Sequence, residues 1–411
     1  MSPAAGGSAG EGRAADEGRP AADGRSAVEA FTDGPLTGMR VVDCSTVVAG
    51  PGCARYLGDF GADVVKVERP DGGDTTRAMG WRDPADDVTL WWKYEGRNKR
   101  SVVLDLKDPA DLAVMRRLLA TADVLVENFR PGTLERLGLA PADLIAANPR
   151  LVVTRVTGFG QDGPYAGRPG FATIAEAMSG FANVNGEPDG GPLLPPIALT
   201  DEITAIVAAF ATLAAARTGI GQIVDVNLYE SLLQMMGPLP GAKALLDYDQ
   251  PRLGSGIPYS VPRGTYRARD GRWIAISTSA ESVARRVMDL IGLGGDPRVA
   301  DFAARVAHRE LVDDTLAAWV AERDADAVLA AFEEAHAAAA PVHDMGDILA
   351  DPHLAARDAL PTLDGVPMQG VVARLSATPG RLRWAGRPLD ADGAEVRSEL
   401  DVRDGDVPPG G

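Results

Sequence analysis

The chain has 411 residues, of which 45% are hydrophobic and 24% are charged, and its formal net charge is −17 at pH 7. This composition is typical of a globular protein with two or three domains. The acidic balance argues against general binding to nucleic acids or to anionic membranes, because both partners are polyanions.

Cysteine content and the N-terminal composition bear on where the protein works. Cys44 and Cys53 are the only cysteines, too few for a disulfide framework or a four-thiolate zinc site, and we interpret them as buried free thiols. No uninterrupted apolar run reaches the ~18 residues of a membrane span, and the acidic N-terminal segment lacks the apolar core of a signal peptide. We therefore expect a cytoplasmic protein without a metal site.

Both ends of the chain are predicted to be loose. Of the first 30 residues, 20 are Ala, Gly, Ser or Pro. Such a segment buries too little apolar area to offset the entropy lost on ordering. We predict a disordered tail over 1–35 and a second loose segment over 401–411.

Residues 36–231 alternate between strand and helix patterns. The β-branched run Met39–Cys44 predicts a strand, a Gly-Pro turn leads to a helix over 51–60, and Asp63–Glu68 predicts the next strand. The alternation continues with strands at Ser101–Asp105, Asp123–Glu127, Leu151–Val156 and Gln222–Asn227, and with helices at 109–121, 141–148, Thr173–Phe181 and Thr200–Arg217. This pattern is typical of a Rossmann-like, doubly wound α/β domain, whose ligands bind at the carboxyl ends of the strands.

The rest of the chain is predicted to build a smaller α+β domain. Residues 228–247 have helical spacing, 250–265 form a Gly/Pro-rich crossing loop, Arg272–Ser277 is a strand, and 282–340 is mostly helical. We assign the smaller domain and its linkers to 232–345 and a C-terminal return to the large domain to 346–400.

Three segments near predicted strand ends could bind a ligand. Residues 47–52 open a helix with small residues, so its free N–H groups could receive a phosphate, although a structural turn fits this segment as well. Glu127–Gly132 follows a strand and offers the amide of Asn128 and the ring of Phe129; a plain β-α turn is the alternative.

The third segment is a run of cations. Lys66 and Arg69 end the second strand, and four more cations, Lys93, Arg97, Lys99 and Arg100, follow within 93–100. Arg and Lys suit a phosphorylated, adenine-bearing ligand, while a solvated charged face is the alternative.

Together these segments resemble the family III CoA-transferases, the family of formyl-CoA and carnitine CoA-transferases and of α-methylacyl-CoA racemases. The resemblance is strong over about 36–231 and weaker to about 360. Among the segments that carry it are Ala49-Gly50-Pro51, Gly61–Pro70, Asn98–Ser101, Leu104–Lys107, Ala122–Gly132, Asn148–Leu151 and Gly158–Gln161.

The resemblance implies a fold and a ligand. It implies two ring-like chains interlocked as a homodimer, with CoA bound along the large domain. Acyl-CoA and a small carboxylic acid would be the substrates, with no permanently bound cofactor. The matching positions imply a CoA site lined by Val47, Arg69, Asn98, Lys99, Asn128, Phe129 and Arg136.

The implied reaction needs a carboxylate nucleophile, and here the chain departs from the family. In the family an Asp attacks the acyl-CoA thioester and forms a mixed anhydride, but after Arg168-Pro169-Gly170-Phe171 this chain has Ala172. Glu176 lies one helical turn further on and is our predicted catalytic residue; a surface or capping Glu is the alternative. Asp201 is a second candidate, either catalytic or merely a helix cap.

Two further features complete the resemblance. Gly254-Ser255-Gly256 matches the family's oxyanion loop, although an ordinary connector fits equally well. Two-base racemisation is disfavoured, because all four histidines lie at or beyond His308 and Ala172 removes the acidic partner.

The predicted function is that of an acyl-CoA:carboxylate CoA-transferase, which moves CoA between carboxylic acids. An acyl-CoA isomerase or lyase on the same fold and a noncatalytic CoA-binding homologue are the alternatives.

Overall fold

A six-stranded parallel sheet is the centre of the computed structural model, which describes residues 34–278 and 280–405. Its strands lie in the order β3-β2-β1-β4-β5-β6, and all neighbours are parallel. Their bounds are β1 Arg40–Asp43, β2 Asp63–Glu68, β3 Lys99–Val103, β4 Val124–Glu127, β5 Val152–Thr157 and β6 Gln222–Asn227. The strand order reverses between β1 and β4, where a doubly wound sheet binds its ligands. The predicted α/β fold is confirmed.

Helices cover both faces of this sheet because successive strand residues point to opposite sides. Val42 packs with Met115 and Leu118 on one face, while Val41 packs with Leu57 and Ala208 on the other. The helices of this region are α1 Ala49–Asp59, α2 Leu90–Glu95, α3 Pro109–Ala120, α4 Thr133–Arg136, α5 Pro141–Ala147, α6 Ala172–Met178, α7 Phe181–Val184 and α8 Leu199–Ala216.

A three-stranded antiparallel sheet organises the second region. It is formed by β7 Arg263–Arg267, β8 Trp273–Ser277 and β9 Ala338–Pro341. The nearby helices are α9 Leu228–Met235, α10 Leu239–Leu246, α11 Glu281–Leu290, α12 Phe302–Ala307, α13 Arg309–Ala321 and α14 Ala325–Glu334. The loop predicted over 250–265 is wrong at β7, and the helix predicted through 340 is wrong at β9. Both segments pair with β8, and at β9 this pairing overrides the helix propensity of an Ala-rich segment. The domain boundary predicted at 231 falls inside α9.

The C-terminal segment returns to the large sheet. It contains α15 Met345–Ala350, α16 Pro352–Ala356, β10 Thr362–Leu363, β11 Val366–Pro367 and α17 Gly393–Gly405. Asp392 accepts a hydrogen bond from the Ser101 amide at 2.8 Å, and Glu399 pairs with Arg100 at 2.6 Å. These contacts attach the segment to β3. The tail predicted over 1–35, apart from residues 34 and 35, and most of 401–411 lie outside the described residues.

Helix α8 is long and apolar enough to cross a membrane. This corrects the expectation that no segment is long and apolar enough. One face of α8 packs on α1 and the sheet through buried residues such as Ala205, Ala208 and Thr212. We therefore interpret α8 as a core helix. Its opposite face leaves Ile206 and Phe210 50% and 75% exposed.

Candidate active site

A buried ion cluster joins the first three strands of the sheet. Asp43, the last residue of β1, accepts a hydrogen bond from Lys99 at 2.9 Å and lies 3.5 Å from the Lys66 ammonium. Burial opposes ionisation of Asp43, but the charges of Lys66 and Lys99 outweigh it and hold the pKa of Asp43 below its usual value. Asp43 also accepts a hydrogen bond from the Ser45 amide at 3.0 Å. The cluster thereby joins three strands to the loop that follows β1.

That loop, residues 45–48, is held in an unusual conformation. Val47 has φ 73°, which is rare for a β-branched residue. Its amide donates to Asp74 at 3.3 Å, while the Thr46 amide donates to the Asn128 side chain at 2.9 Å and its carbonyl accepts from the same amide group at 2.7 Å. Hydrogen bonds to Asp74, beyond β2, and to Asn128, beyond β4, thus offset the strain at Val47, which is typical of a functional loop.

Two cavities adjoin at this edge of the sheet and share Thr46 and Phe129 as a wall. The first, which we call the Ala172 cavity, has a volume of 410 Å³. The second, the Arg69 cavity, has a volume of 530 Å³. Because both lie at the carboxyl ends of the strands, one extended ligand could occupy them together.

The two cavities differ in their charged side chains. The Arg69 cavity contains Arg69 and Lys107, whose charged groups form no ion pair with any described residue. The Ala172 cavity contains Arg130 and Arg168, which are likewise free of ion pairs within the described ranges, and Arg168 stacks on Tyr165 at 3.9 Å. Unpaired guanidinium groups favour phosphate and carboxylate ligands.

Three carboxylates lie near the start of α8, and two of them are engaged. Glu202 accepts hydrogen bonds from Arg55 and from the Tyr56 hydroxyl, each at 2.9 Å. Glu176 is 4% exposed and accepts a hydrogen bond from Thr200 at 2.9 Å. Neither of these two glutamates lines the Ala172 cavity.

The third carboxylate, Asp201, lines the Ala172 cavity together with Ala172 itself. It has no hydrogen bond or ion pair with any residue that the structure describes, and the helix cap is Ala198 without a side-chain bond. Asp201 is therefore not the cap of α8. Burial, together with the negative charges of Glu176 and Glu202, raises the pKa of Asp201 from 3.8 to about 6.

Most residues of the predicted CoA site lie at these cavities. Val47 and Asn128 line the Ala172 cavity, Arg69 lines the other, and Phe129 lies between them. Arg136 is exposed and donates to Thr133, a residue of the Arg69 cavity, at 2.8 Å.

Asn98 and Lys99 do not fit the same description. Each is 1% exposed and lines neither cavity. Asn98 donates to Asp59 at 2.9 Å and Lys99 to the Pro51 carbonyl at 2.7 Å. Because both side chains are committed to the interior, the structure does not bring them to the ligand cavities.

The predicted glycine loop also lies elsewhere. The Gly254 amide donates to the Gly186 carbonyl at 2.9 Å, and Ser255 bonds Thr265 at 2.9 Å. None of residues 254–256 lines either cavity in the described chain.

Sequence reasoning missed three cations of the site: Lys107, Arg130 and Arg168. Each follows a predicted strand or belongs to a segment that carried the family resemblance. The signal that the sequence offered was position: Lys107 lies four residues beyond the end of β3, and Arg130 lies three residues beyond the end of β4.

A model of CoA-transferase family III matches residues 36–392. The chain belongs to CoA-transferase family III. The resemblance read from the sequence is thus confirmed, and the match extends it towards the C-terminus. Membership identifies the protein as a CoA-transferase.

Individual relatives agree with this assignment. Succinyl-CoA–D-citramalate CoA-transferase of Chloroflexus aurantiacus is 38% identical over 89% of this chain and 94% of that protein. Succinate–glutarate CoA-transferase of Agrobacterium fabrum is 35% identical over 90% and 96%. The crystal structure of a CaiB/BaiF family protein from Brucella suis superposes with a TM-score of 0.80, at 32% identity over 90% of this chain and 100% of that one. The two named CoA-transferases act on carboxylic acids, so CoA transfer between carboxylic acids is the activity class of this family III member.

The raised pKa of Asp201 predicts a stability cost at neutral pH. Since its pKa is about 6 in the folded state and 3.8 ordinarily, ionisation destabilises the fold increasingly from pH 4 to pH 6, and the full cost is present above pH 6. Asp201→Asn removes this cost. We expect its free energy of unfolding at pH 8 to exceed that of the parent by about 1–3 kcal/mol.

The measurement is urea unfolding of both proteins at pH 8 and pH 5. The gain should be smaller at pH 5, where Asp201 is largely protonated. An equal gain at both values, or a loss at pH 8, would contradict the assigned environment of Asp201.

Proposed function

We propose that this CoA-transferase moves CoA from a dicarboxylic acyl-CoA, of which succinyl-CoA is the model, to a second carboxylic acid. The observation that carries the proposal is the pair of adjoining cavities, one with unpaired cations suited to phosphates and the other with unpaired arginines next to a carboxylate. An acyl-CoA has the same division, with a phosphorylated nucleotide at one end and a thioester at the other.

The Arg69 cavity is proposed to hold the nucleotide end. Arg69 and Lys107 supply the charge, and Phe129 supplies an apolar wall where the ligand passes into the Ala172 cavity. Arg136, beside Thr133, is proposed to contact the same end from the rim. Asn98 and Lys99, expected to contact CoA, are proposed instead to support the site from inside the fold.

The Ala172 cavity is proposed to hold the acyl group. Arg130 and Arg168 could each bind a second carboxylate on that group through two parallel hydrogen bonds. The names of the two relatives above point to succinyl or glutaryl groups, which carry such a second carboxylate. Because this pair of arginines would lie close to the thioester, the site would favour dicarboxylic acyl groups over simple ones.

An isotope-exchange assay tests this function. Incubation with succinyl-CoA and ¹⁴C-succinate should move label into the thioester, because the released acid of such a transfer is also an acceptor. Arg168→Gln should slow this exchange about 10- to 100-fold through the loss of a charged contact, and propionate exchange into propionyl-CoA by no more than about threefold. Absence of exchange with any acid would refute the function, and equal loss for both acids would refute the role of Arg168.

Calorimetric binding of free CoA tests the nucleotide end. Arg69→Ala should raise the Kd about 10- to 100-fold with little change in Tm, since Arg69 is exposed and, among the residues that the structure describes, bonds only the Gly73 carbonyl, at 2.9 Å. Lys99→Ala should lower Tm instead, because it removes a cation from buried Asp43. Arg150→Ala, an exposed arginine before β5 at the opposite edge of the sheet, is the matched control. Parent-like affinity in Arg69→Ala would show that CoA binds elsewhere.

We also propose that the protein acts as a homodimer in the cytoplasm. Helix α8 leaves the apolar side chains of Ile206 and Phe210 50% and 75% exposed. A second copy would cover this apolar surface. The buried free thiols Cys44 and Cys53 accord with a reducing compartment.

Sedimentation velocity tests the dimer. The parent should sediment with twice the mass of one chain, and Phe210→Asp should shift the population to single chains because it would bury a charge. Phe210→Leu, which keeps the surface apolar, should remain dimeric. A single-chain mass for the parent would contradict the proposal.

A further inference from the structure

A third cavity, which we call the Arg374 cavity, lies between helices α1 and α2 and residues 357–374 of the C-terminal segment. Its volume is 350 Å³, which is large enough for a small metabolite. Its lining includes four arginines and two tyrosines: Arg55, Tyr56, Tyr94, Arg97, Arg357 and Arg374. No described residue lines both this cavity and either of the two cavities at the strand ends, so its ligand would be a separate molecule.

Two of the four arginines are held by carboxylates that do not line the cavity. Arg55 donates to Glu202 at 2.9 Å, and Arg97 donates to Asp59 at 2.6 Å. Arg97 also donates to the Gln369 carbonyl at 2.6 Å, which attaches the C-terminal segment to the residues after α2. Because both arginines are almost completely buried, the part of the wall that they form is fixed before any ligand binds.

Three other donors in the lining have no partner within the described chain. The side chains of Arg357 and Arg374 are exposed and form no hydrogen bond or ion pair with any described residue. The Tyr94 hydroxyl likewise donates no hydrogen bond in the described ranges, while its ring contacts the Arg55 and Arg97 guanidinium groups at 4.3 and 4.9 Å. Two unpaired guanidinium groups and one hydroxyl are therefore available to an anion.

Charge and donor number favour a phosphate group over a carboxylate. Asp358 is the one carboxylate among the described residues of the lining, so the unpaired guanidinium groups outnumber it. Each guanidinium can donate two parallel hydrogen bonds, and with the hydroxyl the three groups offer more donors than one carboxylate can accept. A phosphate monoester has an additional acceptor oxygen and a higher negative charge. The volume of the cavity leaves room for the organic part of such an ester.

The Arg374 cavity is linked to the Ala172 cavity through Glu202. Arg55 and the Tyr56 hydroxyl, which both line the Arg374 cavity, each donate to Glu202 at 2.9 Å. The neighbouring residue Asp201 lines the Ala172 cavity. A phosphate beside Arg55 would compete with Glu202 for this guanidinium, and it would therefore loosen the contact of the first turn of α8 with α1.

We propose that the Arg374 cavity binds the phosphate group of a small phosphate ester, and that the bound ester slows CoA transfer by weakening the contact of Arg55 with Glu202. The binding half of this proposal is independent of the proposed function, whereas the regulatory half rests on it. Each half has its own experiment.

Calorimetry on the full-length protein tests the binding half. Glycerol 3-phosphate is titrated at constant ionic strength and with saturating CoA, so that phosphate sites for CoA are already occupied. Arg374→Gln should raise the Kd of the ester about tenfold, because one charged contact is lost. Asp358→Asn should lower this Kd about threefold by removing a like charge, and Asn tolerates the φ of 45° at this position.

Arg150→Gln is the matched control, since Arg150 is exposed and lines none of the three cavities. Its Kd for the ester should equal that of the parent. No heat from the parent, or the same Kd in the parent and in Arg374→Gln, would overturn the site. Tighter binding of inorganic phosphate than of glycerol 3-phosphate would overturn the ester as its ligand.

Glu202→Gln tests the competition for Arg55 by the same calorimetry. This substitution keeps the shape of the side chain and removes the charge that holds Arg55, so the Kd of the ester should fall about threefold or more. An unchanged Kd in Glu202→Gln would contradict the competition, and the regulatory half of the proposal would fall with it.

The exchange of ¹⁴C-succinate at saturating succinyl-CoA tests the regulatory half. Saturating glycerol 3-phosphate should slow exchange by the parent about three- to tenfold. Arg374→Gln should exchange at the parent's rate without the ester and respond much less to the same concentration of it. Unchanged exchange by the parent would overturn the regulation. A parent that exchanges no label even without the ester would refute the function and the regulation together, while calorimetry still decides the site.

Discussion

The active-site architecture depends on the carboxylate of Asp43, buried between the ammonium groups of Lys66 and Lys99. Each of these charges would be costly to bury alone, and they are tolerated because a second buried carboxylate, Asp74, lies 3.0 Å from Lys66, so that two carboxylates balance the two ammonium groups. The same carboxylate accepts a hydrogen bond from the Ser45 amide, so the three strands and the start of the loop that contains Val47 are fixed as one unit. The position of the wall that the two cavities share is therefore determined by these buried charges as well as by apolar packing.

Charge pairing also explains how an acidic protein can bind an anionic ligand. Many of its arginines and lysines form internal salt bridges, such as Arg97 with Asp59 at 2.6 Å and Arg77 with Glu68 at 2.7 Å. Four cations that line the cavities, Arg69, Lys107, Arg130 and Arg168, lack such partners within the described residues. Local potential rather than the net charge of −17 thus determines what the cavities attract.

Hydrophobic periodicity in the sequence predicted the strands, but the sequence did not show which charged side chains are buried. Strands at Asp63–Glu68 and Gln222–Asn227 have the bounds expected from their β-branched runs. Lys99 was read as a ligand-binding cation because a sequence reveals charge but not whether a partner such as Asp43 lies beneath it. The hydrogen bond of Glu176 with Thr200 and the exposure of Asp201 to the Ala172 cavity could not be predicted from the sequence, because both depend on three-dimensional packing.

The central claim is that the two cavities form one thioester site that ends at Asp201. A crystal structure of the protein with bound CoA tests it most directly. The account predicts the phosphates against Arg69 and Lys107, the pantetheine arm passing Phe129, and the sulfur in the Ala172 cavity within contact distance of the Asp201 carboxylate. A sulfur atom beside Glu176 with Asp201 turned away, or CoA bound outside both cavities, would contradict it.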